Sequence, residues 1–215
     1  MGHAWVSQQA VISDVFTSVT SVSFKAAAAK PGEHVVDIGC GTGDTLLDFA
    51  RVVGSSGAAL GVDVSVPMLG FARHRAAEAG YGNVSCALAD ATNYAFEPRW
   101  ADLVYSRFGV MFFDDPVKAF TNIRGGMKPG ARLVFVCFRT MPESPWFRVP
   151  IEAARHICRP NRQRIRWRRE CFRLPARSAS MKFWVTLDFV RSQSRLLTFR
   201  CTARTSRKAW RSSHK

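Results

Sequence analysis

The sequence predicts an open α/β fold: Rossmann-like, doubly wound, with a mostly parallel sheet and helices on both faces. Three observations carry this. Short apolar runs alternate with stretches of helical spacing from residue 34 onward. Each run is nearly continuous in apolar residues, the pattern of a parallel strand covered on both faces. The first three runs end in an acid, at the strand ends where such sheets bind their ligands.

The elements follow in order. Residues 34–38, HVVDI, form a short buried strand. In the next stretch Leu46, Leu47, Phe49, Ala50 and Val53 share a helical face. AALGVDV at 58–64 is a second strand, and VPMLGFARHRAAEAG at 66–80 a helix stopped by Gly80. VSCALAD at 84–90 and ADLVYSR at 101–107 are the third and fourth strands. PVKAFTNIRGGM is a helix ending at Gly125 and Gly126. ARLVFVCF at 131–138 is a fifth strand, introduced by the turn KPG. Ahead of them all, WVSQQAVISDVFTSV reads as a helix. The opening residues lack a basic flank followed by an apolar core, so no leader is expected. Val6 stands where a myristoylation signal needs Ser or Thr.

Composition divides the chain. Its 215 residues carry a net charge of +15. Residues 1–157 hold 14 basic and 14 acidic residues, whereas 158–215 hold 17 basic and 2 acidic. All 15 glycines lie at or before Gly130. A neutral α/β part therefore precedes a basic segment of different character. The six cysteines are scattered, with no CxxC pair. That argues against a disulfide framework or a zinc site, and for a reducing, cytoplasmic setting. No apolar run is long enough to span a bilayer.

The chemistry lies at the strand ends. Asp37 precedes the turn Gly39-Cys40-Gly41-Thr42-Gly43, and a helix begins beyond it. Glycine admits positive φ and a close ligand approach, and a helix start offers free N–H groups. Asp63, about twenty residues on, suits a pair of ribose hydroxyls. The third glycine comes one residue earlier than in the dinucleotide GxGxxG pattern, and Asp44 fills the last slot. An anion there repels a pyrophosphate but suits a ligand carrying positive charge. A sulfonium nucleoside fits this demand.

These motifs, VVDIGCGTG, GVDVS, ALADA and ADLVYSRFGVMFFDDPVKAFTNIRGGMKPGARLVFV, appear in register from about residue 30 to 150. Together they resemble the class I S-adenosylmethionine-dependent methyltransferases, nearest the ubiquinone/menaquinone-type small-molecule group. The resemblance implies a methyltransferase that moves a methyl group from S-adenosyl-L-methionine to a small-molecule acceptor by in-line transfer. It implies that Asp37, Gly39, Cys40, Gly41 and Gly43 cradle the methionine part of the cofactor. Asp63 would take the ribose hydroxyls, with Val64 and Met68 flanking the adenine. Asp90 would accept from the adenine amino group, with the Ala91 N–H beside it. Ser106 and Arg107 would line the floor near the sulfonium. Residues 1–29 would form a helical lid, with Trp5 and Gln9 as contacts, over a cofactor domain at 30–157.

Several residues read as structural. Met111, Phe112 and Phe113 read as core, Cys40 as a packing residue, and Asp90 also resembles a helix cap. Arg107 is equally suited to pair with Asp102 or Asp114. No catalytic residue, metal site, acceptor or oligomeric state follows from the sequence.

The basic segment, 158–215, has three open readings. It is an out-of-frame translation of a GC-rich gene, or a divergent strand pair built from 182–190 and 195–203, or a basic arm for nucleic acid or anionic lipid. Two functions of different class follow: a small-molecule methyltransferase, or a nucleic-acid-binding or RNA-directed protein using the tail. A cofactor-binding but inactive enzyme is a third. YSRFG, at the end of the fourth strand, lacks the NPPY-like loop with which base-amino methyltransferases stack a base.

Overall fold

A computed structural model of the chain describes residues 2–138 and two short strands, Phe183–Val185 and Leu197–Phe199. The elements are α1 (Gly2–Ser7), α2 (Gln9–Ala27), β1 (His34–Ile38), α3 (Asp44–Val53), β2 (Ala58–Asp63), α4 (Val66–Glu78), β3 (Val84–Leu88), β4 (Ala101–Arg107), α5 (Pro116–Gly126) and β5 (Met127–Val136). A short 3-10 helix, Gly109–Phe112, follows β4, and the two late strands are β6 and β7.

The sheet order is β3-β2-β1-β4-β5-β6-β7. The first five strands are parallel, as the alternation of apolar runs and helices requires. The chain winds outward from β1 to β3, then returns to place β4 on the other side of β1. The order therefore reverses between β1 and β4, which opens a crevice above their carboxyl ends.

Alternate residues of each strand feed opposite faces. Val35, Leu103, Tyr105 and Val134 pack with Leu46, Phe49 and Val53 of α3, Leu69 of α4 and Ala27 of α2. Val36, Val104, Leu133 and Phe135 pack with Ile123 of α5 and Val110. Both faces are thus covered, which is why β1 and β4 read as unbroken apolar runs. β3, at the edge, is only half-buried.

Several element ends fall one or two residues short of the sequence reading, those of β2, α4, β3, α5 and β5 among them, and three differences go further. The N-terminal helix breaks at Gln8 and continues to Ala27, because the alanine-rich stretch after Phe24 propagates it. There Ser23 shares a buried hydrogen bond of 2.7 Å with the Tyr105 hydroxyl, tying α2 to the sheet. β5 begins at Met127, which pairs with Ala101; the register then shifts, so the KPG segment falls within the irregularity before Arg132 pairs with Leu103. The segments 182–190 and 195–203 each contain a short strand: β6 pairs parallel with β5, and β7 antiparallel with β6. The rest of 158–215 lies outside the described residues.

Candidate functional site

The site is built on the turn after β1. Gly39, Gly41 and Gly43 have φ of 70°, 56° and 86°. Space is as tight as the dihedrals: a Cβ on Gly39 would lie 2.7 Å from the Gly109 Cα, and one on Gly41 2.8 Å from the Met68 Cε. The turn is pinned to the next strand by Gly39 N–H donating to the Val62 carbonyl at 2.7 Å. Asp63 accepts from Gly41 N–H and Ser65 N–H, both at 2.8 Å. Its carboxylate uses two of roughly four acceptor positions in this way and keeps the others for a ligand.

Across the crevice, Ser106 holds the loop after β4. Its hydroxyl donates to the Ile38 carbonyl at 2.7 Å and accepts from Gly109 and Val110 N–H. The loop turns through Phe108, a non-glycine residue at φ 68°. Such a conformation costs energy and persists only where its surroundings enforce it.

Between these loops lies a cavity of about 590 Å³, within the usual range for small-molecule sites. Gly39, Cys40, Gly41, Asp63, Val64, Met68, Asp90, Ala91 and Arg107 all line it, as do Trp5 and Gln9 of the N-terminal helices. Asp90 accepts from Thr92 N–H at 2.7 Å, so its cap-like role and its place at the rim coexist. Three candidates stand behind the wall instead. Ser106 is the knot just described. Gly43 faces α4, where a Cβ would lie 2.9 Å from that of Ala72. Asp37 is fully buried; one carboxylate oxygen accepts from the Thr45 hydroxyl at 2.6 Å and the other has no partner. Burial pushes its pKa up to about 7, against the Thr45 bond and the Arg107 charge, which lower it. Burial likewise pushes up the Cys40 thiol, consistent with a packing role.

Two features escaped the sequence reading. The first is a polar hub at Asp44. Its carboxylate accepts from Gln9 at 2.7 Å, from Ser13, from Arg75 at 2.6 Å and from Arg107 at 3.3 Å. Burial alone would raise the Asp44 pKa, but the Ser13 and Arg75 hydrogen bonds and the two arginine charges hold it below the usual carboxylate value. Arg107 also donates to Thr20 of α2 at 2.7 Å. Asp102, offered as an alternative partner for Arg107, takes Lys128 at 2.7 Å instead.

The second is an aromatic wall. Phe16, Phe108 and Phe138 line the cavity in a chain of ring contacts, 5.0 Å and then 4.4 Å between centroids. Phe112, read as core, is 73% exposed and also lines it, with Met111 and Phe113. The reason is the turn at Phe108, which swings the 3-10 helix to the mouth of the crevice. No spacing signal announces it.

Asp63 and Asp90 at adjacent strand ends, the crowded glycine turn and the crevice where strand order reverses define an α/β nucleoside-binding domain. A family model described as a methyltransferase domain matches residues 29–174. The chain belongs to that family.

Aklanonic acid methyltransferase DauC of Streptomyces sp. (strain C5) is 38% identical over 104 residues, covering 48% of this chain and 47% of its own. Ubiquinone/menaquinone biosynthesis C-methyltransferase UbiE of Cellvibrio japonicus is 34% identical over 117 residues, covering 54% and 47%. The chain thus spans about half the length of these curated relatives. Among solved structures, phosphoethanolamine N-methyltransferase 2 of Haemonchus contortus, in complex with S-adenosyl-L-methionine, is similar with a TM-score of 0.52 at 27% identity. The match covers 68% of this chain and 34% of that one.

Proposed function

We propose that this chain is a cytoplasmic methyltransferase that uses S-adenosyl-L-methionine to methylate a small, largely apolar, ring-bearing acceptor. The observation that carries the reading is one cavity bounded on one side by the glycine turn, Asp63 and Asp90, and on the other by Phe16, Phe108, Phe112 and Phe138. The polar side suits adenosine and the aromatic side suits a flat apolar ring. The names of DauC and UbiE, an aklanonic acid and a ubiquinone/menaquinone biosynthesis enzyme, are compatible with such an acceptor.

The bound cofactor would supply a methyl group activated by a positive sulfur. The chain's own residues bind and align. Asp63 and Asp90 receive hydrogen bonds, α1 and α2 form a lid that keeps out water, and the aromatic wall fixes the acceptor's plane. Among the described residues lining the cavity, the ionisable side chains are three acids, Arg107 and the Cys40 thiol. Asp44 is saturated by its four donors, so it makes a poor general base. On this reading the acceptor brings its own acidic proton, as a phenol or an enol does.

On this reading residues 1–29 are the lid and 30–157 the cofactor domain. The pairing of β6 with β5 and β7 favours a strand pair in the basic segment over a free arm. The thiols of Cys40 and Cys86, which form no disulfide, are compatible with a reducing compartment. Among the described residues, no helix is long and apolar enough to cross a membrane.

The test is a transfer assay with S-adenosylmethionine and matched acceptors: phenols and enols beside aliphatic alcohols and amines. Expected are release of S-adenosylhomocysteine and a methyl mass gain on the acidic ring compounds alone. Transfer to simple amines or alcohols at equal rate would contradict the acceptor assignment.

A further inference from the structure

We infer that Asn122 of α5 is a positioning residue: it fixes the loop that carries Asp90 and Ala91, and through that loop sets the site's preference for a base with an exocyclic amino group. This rests on the cofactor reading above, in which Asp90 accepts from the amino group and the Ala91 N–H stands beside it. Asn122 acts from behind. It bonds to the loop, and the loop lines the cavity.

The loop needs support from outside itself. It follows β3, which stands at the end of the sheet order and has β2 as its neighbour. On that side Ala89 N–H donates to the Asp63 carbonyl at 3.0 Å. Within the loop, the Asp90 carbonyl accepts from Asn93 N–H and Tyr94 N–H, and an Asp90 carboxylate oxygen accepts from Thr92 N–H. These bonds close residues 90–94 into a turn but do not set its tilt against the domain. Ala91 and Thr92 are buried, so carbonyl groups there need donors.

Asn122 supplies them. Its side-chain amide donates to the Ala91 carbonyl at 2.9 Å and to the Tyr94 carbonyl at 2.7 Å. A side-chain amide has two N–H donors, and both are spent on this turn. Two bonds from one planar group fix tilt as well as distance. The group is itself held, because Ala119 and Ile123 bury the inner face of α5 and Asp115 caps the helix by accepting from Lys118 N–H at 2.9 Å. One turn before Asn122, the Lys118 ammonium donates to the Asn93 side chain at 2.8 Å, an exposed second tether from the same face. Tilt matters because the base is read by two neighbouring groups at once. An amino base donates to a carboxylate and accepts from an N–H at the adjacent ring nitrogen. A keto base such as hypoxanthine presents the reverse pattern, and only a fixed turn holds both readers to one edge of the ring.

The test compares two ligands by calorimetry: S-adenosylhomocysteine and S-inosylhomocysteine, which differ at the base alone. Wild type should prefer the first by at least about tenfold, the effect of one hydrogen bond to a charged group. Asn122→Ala should weaken S-adenosylhomocysteine about tenfold and leave S-inosylhomocysteine within about threefold of wild type, so that the preference shrinks. Asn122→Asp, similar in volume, turns the donor toward the two carbonyls into an acceptor and should shrink it likewise; it serves where the alanine variant fails to fold. Equal loss on both ligands would show Asn122 merely holding the fold and overturn the inference. An unchanged preference in the folded variants would overturn it too. Wild type that binds both ligands equally would refute the assignment of the base to Asp90 and Ala91, and this inference with it. Wild type that binds neither would refute the cofactor reading itself.

Discussion

Asp37 is under electrostatic stress. It is fully buried beneath the glycine turn, with Thr45 as its hydrogen-bond donor and one oxygen unpartnered. Burial raises its pKa from 3.8 to about 7; Thr45 and Arg107 oppose that rise, while Asp63 and Asp44 add to it. In an unfolded chain the group titrates near its ordinary value. Between the two values the folded chain holds a proton that the unfolded chain has lost. Its contribution to stability therefore falls as pH rises across that window and levels off above it. Asp37→Asn should remove that slope, read as the difference between wild-type and variant melting temperatures from pH 4 to pH 8. Parallel profiles for the two proteins would show that Asp37 does not titrate there. An acid before the glycines was legible in the sequence. Its burial was not, because it depends on α3 closing over the turn.

At the scale of elements, the N-terminal helix is fastened to the domain through Asp44. Gln9 and Ser13 of α2 reach that carboxylate, as do Arg75 of α4 and Arg107 of β4. Removing the acid strands two partly buried guanidinium groups, so Asp44→Ala should cost about 3 kcal/mol in stability. Ser13→Ala, which deletes one donor, should cost about 1 kcal/mol. Both should speed amide hydrogen exchange along α2 more than along α3 or α4. Unchanged exchange in α2 would mean that the Ser23–Tyr105 bond and Phe24 hold the helix unaided. Strands β1 and β4 were legible to the residue, because apolar runs buried on both faces have sharp ends. The hub was not, since its partners lie far apart in the chain and meet only when the sheet forms. Phe112 was misread for a related reason: an apolar run shows burial potential, not the turn that carries it to a cavity mouth.

For the whole molecule, function follows from where strand order reverses. Winding outward from β1 and back to β4 leaves a crevice at the one edge where three acids, a glycine turn and an aromatic loop can meet. The alternation of runs made that architecture readable, and the spacing of Asp63 from the turn made the nucleoside side readable. The acceptor side was not, since it depends on a loop conformation and on helices whose packing leaves no periodic trace. Charge adds a second division: the cavity-bearing part is neutral, and the surplus of +15 sits in residues 158–215. The measurement that bears most directly on the central claim is titration calorimetry of wild type and Asp63→Ala with S-adenosylhomocysteine and with NAD. The account predicts that wild type binds S-adenosylhomocysteine and not NAD, and that Asp63→Ala weakens this binding by roughly 1.5–3 kcal/mol. Binding of NAD without S-adenosylhomocysteine, or an affinity that Asp63→Ala leaves untouched, would contradict it.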